Sequence, residues 1–127
     1  MTPTLHTVRG EEIDPWIESL AILRIEVFRE FPYLYDGTRQ YESAYLRTYA
    51  ACPDSVFVIA RDGAEVVGVA TALPLSAEVQ AVQEPFVAAG IPVDSVFYFG
   101  ESVLRKAYRG QGIGKAFMRE REAAARA

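Results

Sequence analysis

Between an apolar run ending at Leu104 and a helical pattern beginning near Gly112 lies Tyr108-Arg109-Gly110-Gln111-Gly112-Ile113-Gly114-Lys115-Ala116-Phe117-Met118, with three glycines in five positions. Glycine lets a backbone approach a ligand closely and takes positive φ without steric penalty. The first turn of a helix has N–H groups with no helical partner and carries the positive end of the helix dipole, so anionic oxygens are stabilised there. Arg109 and Lys115 bracket the turn with full charges. A strand that feeds such a turn and continues as a helix constrains the fold to one that packs helices on a sheet. In physical terms the turn is a pyrophosphate cradle.

The rest of the chain supplies elements to match. Leu5-His6-Thr7-Val8 alternates and reads as a first strand. Asp14-Pro15 predicts a helix start, with a side-chain acceptor at the cap and proline at the first helical position. Trp16, Leu20, Leu23 and Val27 recur at helical spacing beside Ile17, Ala21, Ile25 and Phe28, and Pro32 predicts a stop near Phe31. An aromatic loop through Asp36 leads to a second helix with Tyr41, Ala44, Tyr45, Thr48 and Tyr49 on one face, closing before Pro53. Ser55–Arg61 reads as a strand, Asp62-Gly63 as a hairpin turn, and Glu65–Leu73 as the returning strand. Ser76–Ala89 reads as a helix bent at Pro85, and Val93–Leu104 as a long strand. Gly100, a glycine inside that apolar strand, predicts a β-bulge. The order β-α-α-β-β-α-β-α over residues 1–127 predicts a single domain. Its fold class is α/β of the α+β type: a mixed, mostly antiparallel sheet flanked by helices.

Composition removes several chemistries. One cysteine, Cys52, and one histidine, His6, forbid an internal disulfide and a Cys/His zinc site, and no metal is expected. They also leave no Ser-His or Cys-His triad except through His6, around which nothing suggests a base. No apolar run is long enough to span a membrane, and the N-terminus has no signal-peptide pattern, so a cytoplasmic protein is expected. Charge is divided unevenly: residues 1–101 hold 6 Lys/Arg and 15 Asp/Glu, whereas residues 102–127 hold 7 and 2. An acidic body with a local basic tract argues against nucleic-acid binding and suits a compact anionic ligand at one end.

Three other uses of the turn compete with that reading. A nucleotide P-loop needs Ser or Thr after the lysine, where this chain has Ala116. A dinucleotide fingerprint wants a third glycine at a spacing the turn does not give, near the first strand and followed by a ribose-binding acid. The third use is a tight strand-to-helix turn with no ligand. Arg109-Gly110-Gln111-Gly112-Ile113-Gly114 instead resembles the Arg/Gln-x-x-Gly-x-Gly/Ala signature of the GNAT acetyltransferase superfamily. The element order resembles that fold over nearly the whole chain. Lys106 departs from the family's frequent proline before the turn.

The resemblance implies transfer of an acetyl group from acetyl-CoA to a small-molecule or peptide amine. The alternative is a non-catalytic acyl-CoA-binding or interaction module on the same scaffold. By resemblance, the backbone of Ser102, Val103 and Leu104 pairs with the pantetheine arm, and the amides from Gly110 to Lys115, with Gln111, Gly112, Ile113 and Gly114 between, hold the pyrophosphate. Glu101, a carboxylate interrupting an apolar strand, is the candidate catalytic or substrate-orienting acid; its alternative is a solvated strand residue or a salt-bridged structural acid. Tyr33, Tyr35 and Asp36 are candidates to shape a pocket for a cationic acceptor, or else to pack the connection between helices. The resemblance also implies strands beyond the signature helix, whereas the sequence ends within that helix. A C-terminally incomplete domain is therefore expected, or a homodimer or partner chain that completes the sheet.

Overall fold

The computed structural model describes residues 3–30 and 36–126. Strand β1 (Thr4–Arg9) leads through a 3-10 turn (Gly10–Trp16) into helix α1 (Ile17–Phe28), followed by α2 (Arg39–Ala50). Strands β2 (Val56–Asp62) and β3 (Glu65–Pro74) form a hairpin, and α3 (Gln80–Ala88) leads to β4 (Phe97–Leu104). A short 3-10 turn (Lys106–Tyr108) and the glycine turn then open α4 (Ile113–Arg126). The sheet order is β1-β2-β3-β4. Every pairing is antiparallel, so the expected mixed sheet is wholly antiparallel among the described residues.

The two central strands are buried on both faces. Val56 to Ala60 and Val66 to Leu73 are covered without a break, which is why they read as continuous apolar runs rather than as alternation. On one face α1 and α2 pack Leu20, Leu23, Val27, Leu46 and Tyr49 against Phe57, Ile59, Val69 and Val103. On the other, Ile113, Phe117 and Ala124 of α4 meet Val58, Val67 and Ala70. Burying one such large apolar side chain stabilises by roughly 1.5–3 kcal/mol. Among the described residues no helix is long and apolar enough to cross a membrane.

Local starts and stops differ from the sequence expectation at several points. Asp14 does not cap α1; the chain turns earlier, with Glu12 Oε1 accepting from the Arg9 N–H at 2.9 Å. The helix closes at Phe28 through Arg29 N–H to Ile25 O at 3.2 Å and Glu30 N–H to Val27 O at 3.2 Å, before Pro32 can act. Thr38 caps α2 by accepting from the Tyr41 N–H at 3.1 Å. The tyrosine stripe of α2 is split, because Tyr49 is buried while Tyr41 is 62% exposed. Val93–Ser95 forms a 3-10 turn, so β4 is shorter than the apolar run that contains it.

Candidate active site

Strand β4 changes register beside β3. Phe99 pairs with Ala72 and Ser102 with Ala70, so Gly100 and Glu101 together oppose Thr71. That is the bulge expected at Gly100, and the close packing explains the glycine. A Cβ there would lie 2.7 Å from Thr71 Oγ1 and 3.1 Å from the Tyr49 hydroxyl. The Glu101 N–H donates to Thr71 Oγ1 at 3.0 Å. The extra residue reverses the alternation of the strand. Phe97 and Phe99 face α4, and an unbroken strand would send Glu101 the same way. With the bulge, Glu101 turns to the α1 face and pairs with Arg24.

Arg24 stands at the centre of this face, buried in α1. Its Nε lies 3.3 Å from Glu42 Oε1, its Nη1 contacts Glu101, and its guanidinium lies 5.0 Å from the Phe28 ring centre and 4.7 Å from that of Tyr45. The Glu42 side chain is fully buried and its Oε2 has no hydrogen-bond partner; the Glu101 side chain is 26% exposed. Beside the cluster the Tyr49 hydroxyl, 3.4 Å from that of Tyr45, titrates well above the tyrosine range, first because it is buried and then through Tyr45.

From the opposite face Arg121 of α4 grips the same bulge. Its Nη1 donates to Thr71 O at 3.2 Å and Glu101 O at 3.3 Å, and its Nη2 donates to Ser102 Oγ at 3.0 Å. The guanidinium lies 4.7 Å from the Phe99 ring centre. Burial lowers the pKa of this group. Arg121 thus donates to main-chain carbonyls on both strands at the register shift, Thr71 O and Glu101 O.

The glycine turn is open by contrast. Gly110 and Gly112 have φ of +81° and +82°, and a Cβ at either, or at Gly114, would meet nothing within 4 Å. The Ala116 N–H bonds to Gly112 O at 3.1 Å, so the amides of Ile113, Gly114 and Lys115 precede the first helical bond. Ile113 is buried, at 4% exposure, and packs into the core on the α4 face of the sheet. The Arg109 side chain folds back: its Nε donates to Leu104 O at 3.0 Å and its Nη2 to Glu30 at 3.4 Å. Gln111 Nε2 donates to Ala107 O at 3.3 Å, and Lys115 is exposed. Tyr108 anchors the turn through its hydroxyl to Asp62 Oδ2 at 2.5 Å, and that bond raises the phenol's pKa.

Glu101, Ser102, Val103 and Leu104 thus lie on one strand that leads through the short 3-10 turn to Gly110–Lys115, and the edge of β4 away from β3 has no strand partner among the described residues. Val103 points into the core at 2% exposure and offers only its backbone. Asp36 is an exposed carboxylate 3.5 Å from Arg29 Nε and takes no part in the Glu101 cluster. Tyr33 and Tyr35 lie outside the described residues. Sequence reasoning missed Arg24, Glu42 and Arg121. Each occupies a buried helical position that its neighbours in the chain mark only in part: Arg24 stands among Leu20, Leu23 and Val27, and Arg121 between Phe117 and Ala124, while Glu42 has no such frame. A charge on an apolar face needs a partner or a function.

The Acetyltransferase (GNAT) family model matches residues 20–127, and the chain belongs to that family. It is similar to an integron cassette protein from the mobile metagenome of V. cholerae, with TM-score 0.60 and 18% identity over 94% of this chain; it spans only 65% of that protein. It is also similar to an aminoglycoside acetyltransferase from an uncultured soil metagenomic sample, with TM-score 0.56 and 18% identity, covering 99% of this chain and 74% of that one. At such identity the likeness bears on the fold. No curated protein matches the sequence.

Proposed function

We propose that the chain carries the coenzyme-binding and acid-bearing part of an N-acetyltransferase that moves an acetyl group from acetyl-CoA to an amine. The observation that carries this reading is the order of β4 and α4 in the chain: a bulge that aims Glu101, a strand edge with no strand partner among the described residues, and an open glycine turn follow one another. The residues fit the coenzyme. Gly110 and Gly112 leave space where side chains would stand, and the amides from Ile113 to Lys115 are available to the diphosphate. The outer edge of Ser102–Leu104 supplies N–H and C=O groups for the amides of the pantetheine arm. In this reading that arm covers the edge, and a further strand, from this protein or a second copy, lies beyond it.

Acetyl-CoA supplies an acyl group activated as a thioester, with the CoA thiol as leaving group. The chain's own contribution at the reacting end is Glu101. Its carboxylate, directly or through one water, accepts the proton the acceptor nitrogen must lose. Thr71 and Arg121 hold the Glu101 backbone from two sides, so the carboxylate is aimed by a fixed main chain. The acceptor is a small-molecule or peptide amine. The acidic excess of residues 1–101, 15 against 6, favours one that arrives as a cation. Aminoglycosides belong in the first acceptor panel because a structural neighbour is an acetyltransferase for them.

The Arg24–Glu101 ion pair favours a second reading, in which Glu101 is structural and the domain binds acyl-CoA without turnover. A thermal-shift series with acetyl-CoA, CoA, NAD and ATP with magnesium, followed by transfer assays on amines, separates them. The enzyme reading expects stabilisation by acetyl-CoA and CoA alone, and turnover that Glu101→Gln lowers by about 100-fold, the usual scale for a positioned base, with CoA binding retained. Stabilisation with no turnover on any amine supports the binding module. Stabilisation by ATP or NAD instead contradicts both.

A further inference from the structure

The buried cluster on the α1 face holds one cation and two carboxylates, so its formal charge is −1. A buried guanidinium needs a counter-ion, and Arg24 has two: Glu42, fully buried, and Glu101, which alone of the three side chains is as much as 26% exposed. Glu42 spends one oxygen on Arg24 Nε at 3.3 Å. Its second oxygen, Oε2, is buried without a partner, a costly state for a carboxylate unless something else takes it up. That oxygen is free to accept a further N–H from the same guanidinium.

We infer that Arg24 is an exchangeable counter-ion: a primary ammonium displaces it from Glu101, and Arg24 moves its N–H to Glu42 Oε2. The inference deepens the proposed role of Glu101 and rests on it. No charge is stranded in the exchange, because the arriving ammonium takes over Glu101 as Arg24 closes on Glu42. The rings of Phe28 and Tyr45, 5.0 and 4.7 Å from the guanidinium, keep the arginine in place while it changes partner. A neutral acceptor has no charge with which to drive the displacement, so the cluster selects amines that arrive protonated. Arg24 and Glu42 are positioning residues; Glu101 alone meets the ligand.

The test follows the Glu101 side-chain carboxyl by NMR in the full chain, labelled with carbon-13 at glutamate, during titration with butylammonium chloride. Tetramethylammonium, which has no N–H to donate, is the control. Glu42→Gln keeps the shape but leaves Arg24 with Glu101 as its one anion, and ammonium affinity falls by about tenfold, a difference of one decade in Kd. The double variant Arg24→Met with Glu42→Gln removes the competing cation together with the fully buried anion, leaves the Glu101 carboxylate as the one charge of the cluster, and binds ammonium more tightly than the wild type. A structural role predicts the reverse, with the double variant at least as impaired as the single one. No saturable shift in the wild type, unchanged affinity in Glu42→Gln, or a double variant weaker than wild type overturns the inference. If Glu42→Gln does not fold, the comparison of the double variant with wild type decides alone. Acetyl-CoA titrated into the same samples reports on the glycine turn separately. Failure there sinks the coenzyme reading and leaves the ammonium ranking to stand or fall on its own.

Discussion

The bulge and the glycine turn both depend on glycine, yet for opposite physical reasons. Gly100 is required because its surroundings are full: Thr71 and Tyr49 occupy the volume a side chain would need. Gly110 and Gly112 are required by their backbone, with φ of +81° and +82°, while the space above them is empty. The bulge is fixed by Thr71 on its sheet neighbour and by a buried arginine from α4, whereas the turn exposes amides that precede the first helical bond. A reacting end needs aim, and aim comes from over-determined packing. A coenzyme end needs donors that stay free until the ligand arrives. Helix α4 joins the two, with the turn at its start and Arg121 two turns further on.

The difference predicts that substitutions at the bulge act on stability and those at the turn act on binding. Arg121→Met has the largest expected effect. It leaves Thr71 O and Glu101 O without their donor and should destabilise by about 3 kcal/mol. Urea unfolding reads this as a lower midpoint at unchanged slope. Gly100→Ala comes next, at about 1–3 kcal/mol for a side chain forced into filled space. A stable Gly100→Ala protein would show that the bulge is less rigid than its contacts imply. Gly112→Ala is expected to cost only about 1 kcal/mol of backbone strain while weakening acetyl-CoA binding by about tenfold, measured by titration calorimetry. The smallest effect belongs to Lys115→Ala. Its stability should change by less than about 0.5 kcal/mol, and its modest loss of affinity should shrink as salt is raised.

The glycine turn was legible because its chemistry is local: glycine spacing, flanking cations and the following helix all lie within a few residues. The bulge was legible for a similar reason, since a glycine inside an apolar strand gives up the side chain that such a strand would otherwise pack. The polar network around the bulge was not. Arg24, Glu42 and Arg121 come from α1, α2 and α4, and only folding brings them to one strand. In sequence each looked like an ordinary helical charge, and the breadth of the apolar stripe around Arg24 concealed that the arginine lies inside it. Helix starts were misread where backbone geometry outweighed the cap residue, as at Asp14, where Glu12 made the turn earlier. Arg109 shows a further limit. Its position in the turn was clear, but that its side chain folds back onto Leu104 O depends on the strand's end and on Glu30 beyond it.

The most direct measurement follows backbone amide resonances of nitrogen-15-labelled protein during titration with acetyl-CoA. The account predicts that the largest changes fall on the amides of Gly110 to Lys115, with a second group at Ser102 to Leu104, and that 3′-dephospho-CoA, which keeps the diphosphate, reproduces the first group. Changes centred on the cleft between α1 and α2, or no changes at the turn while acetyl-CoA binds elsewhere, would contradict it.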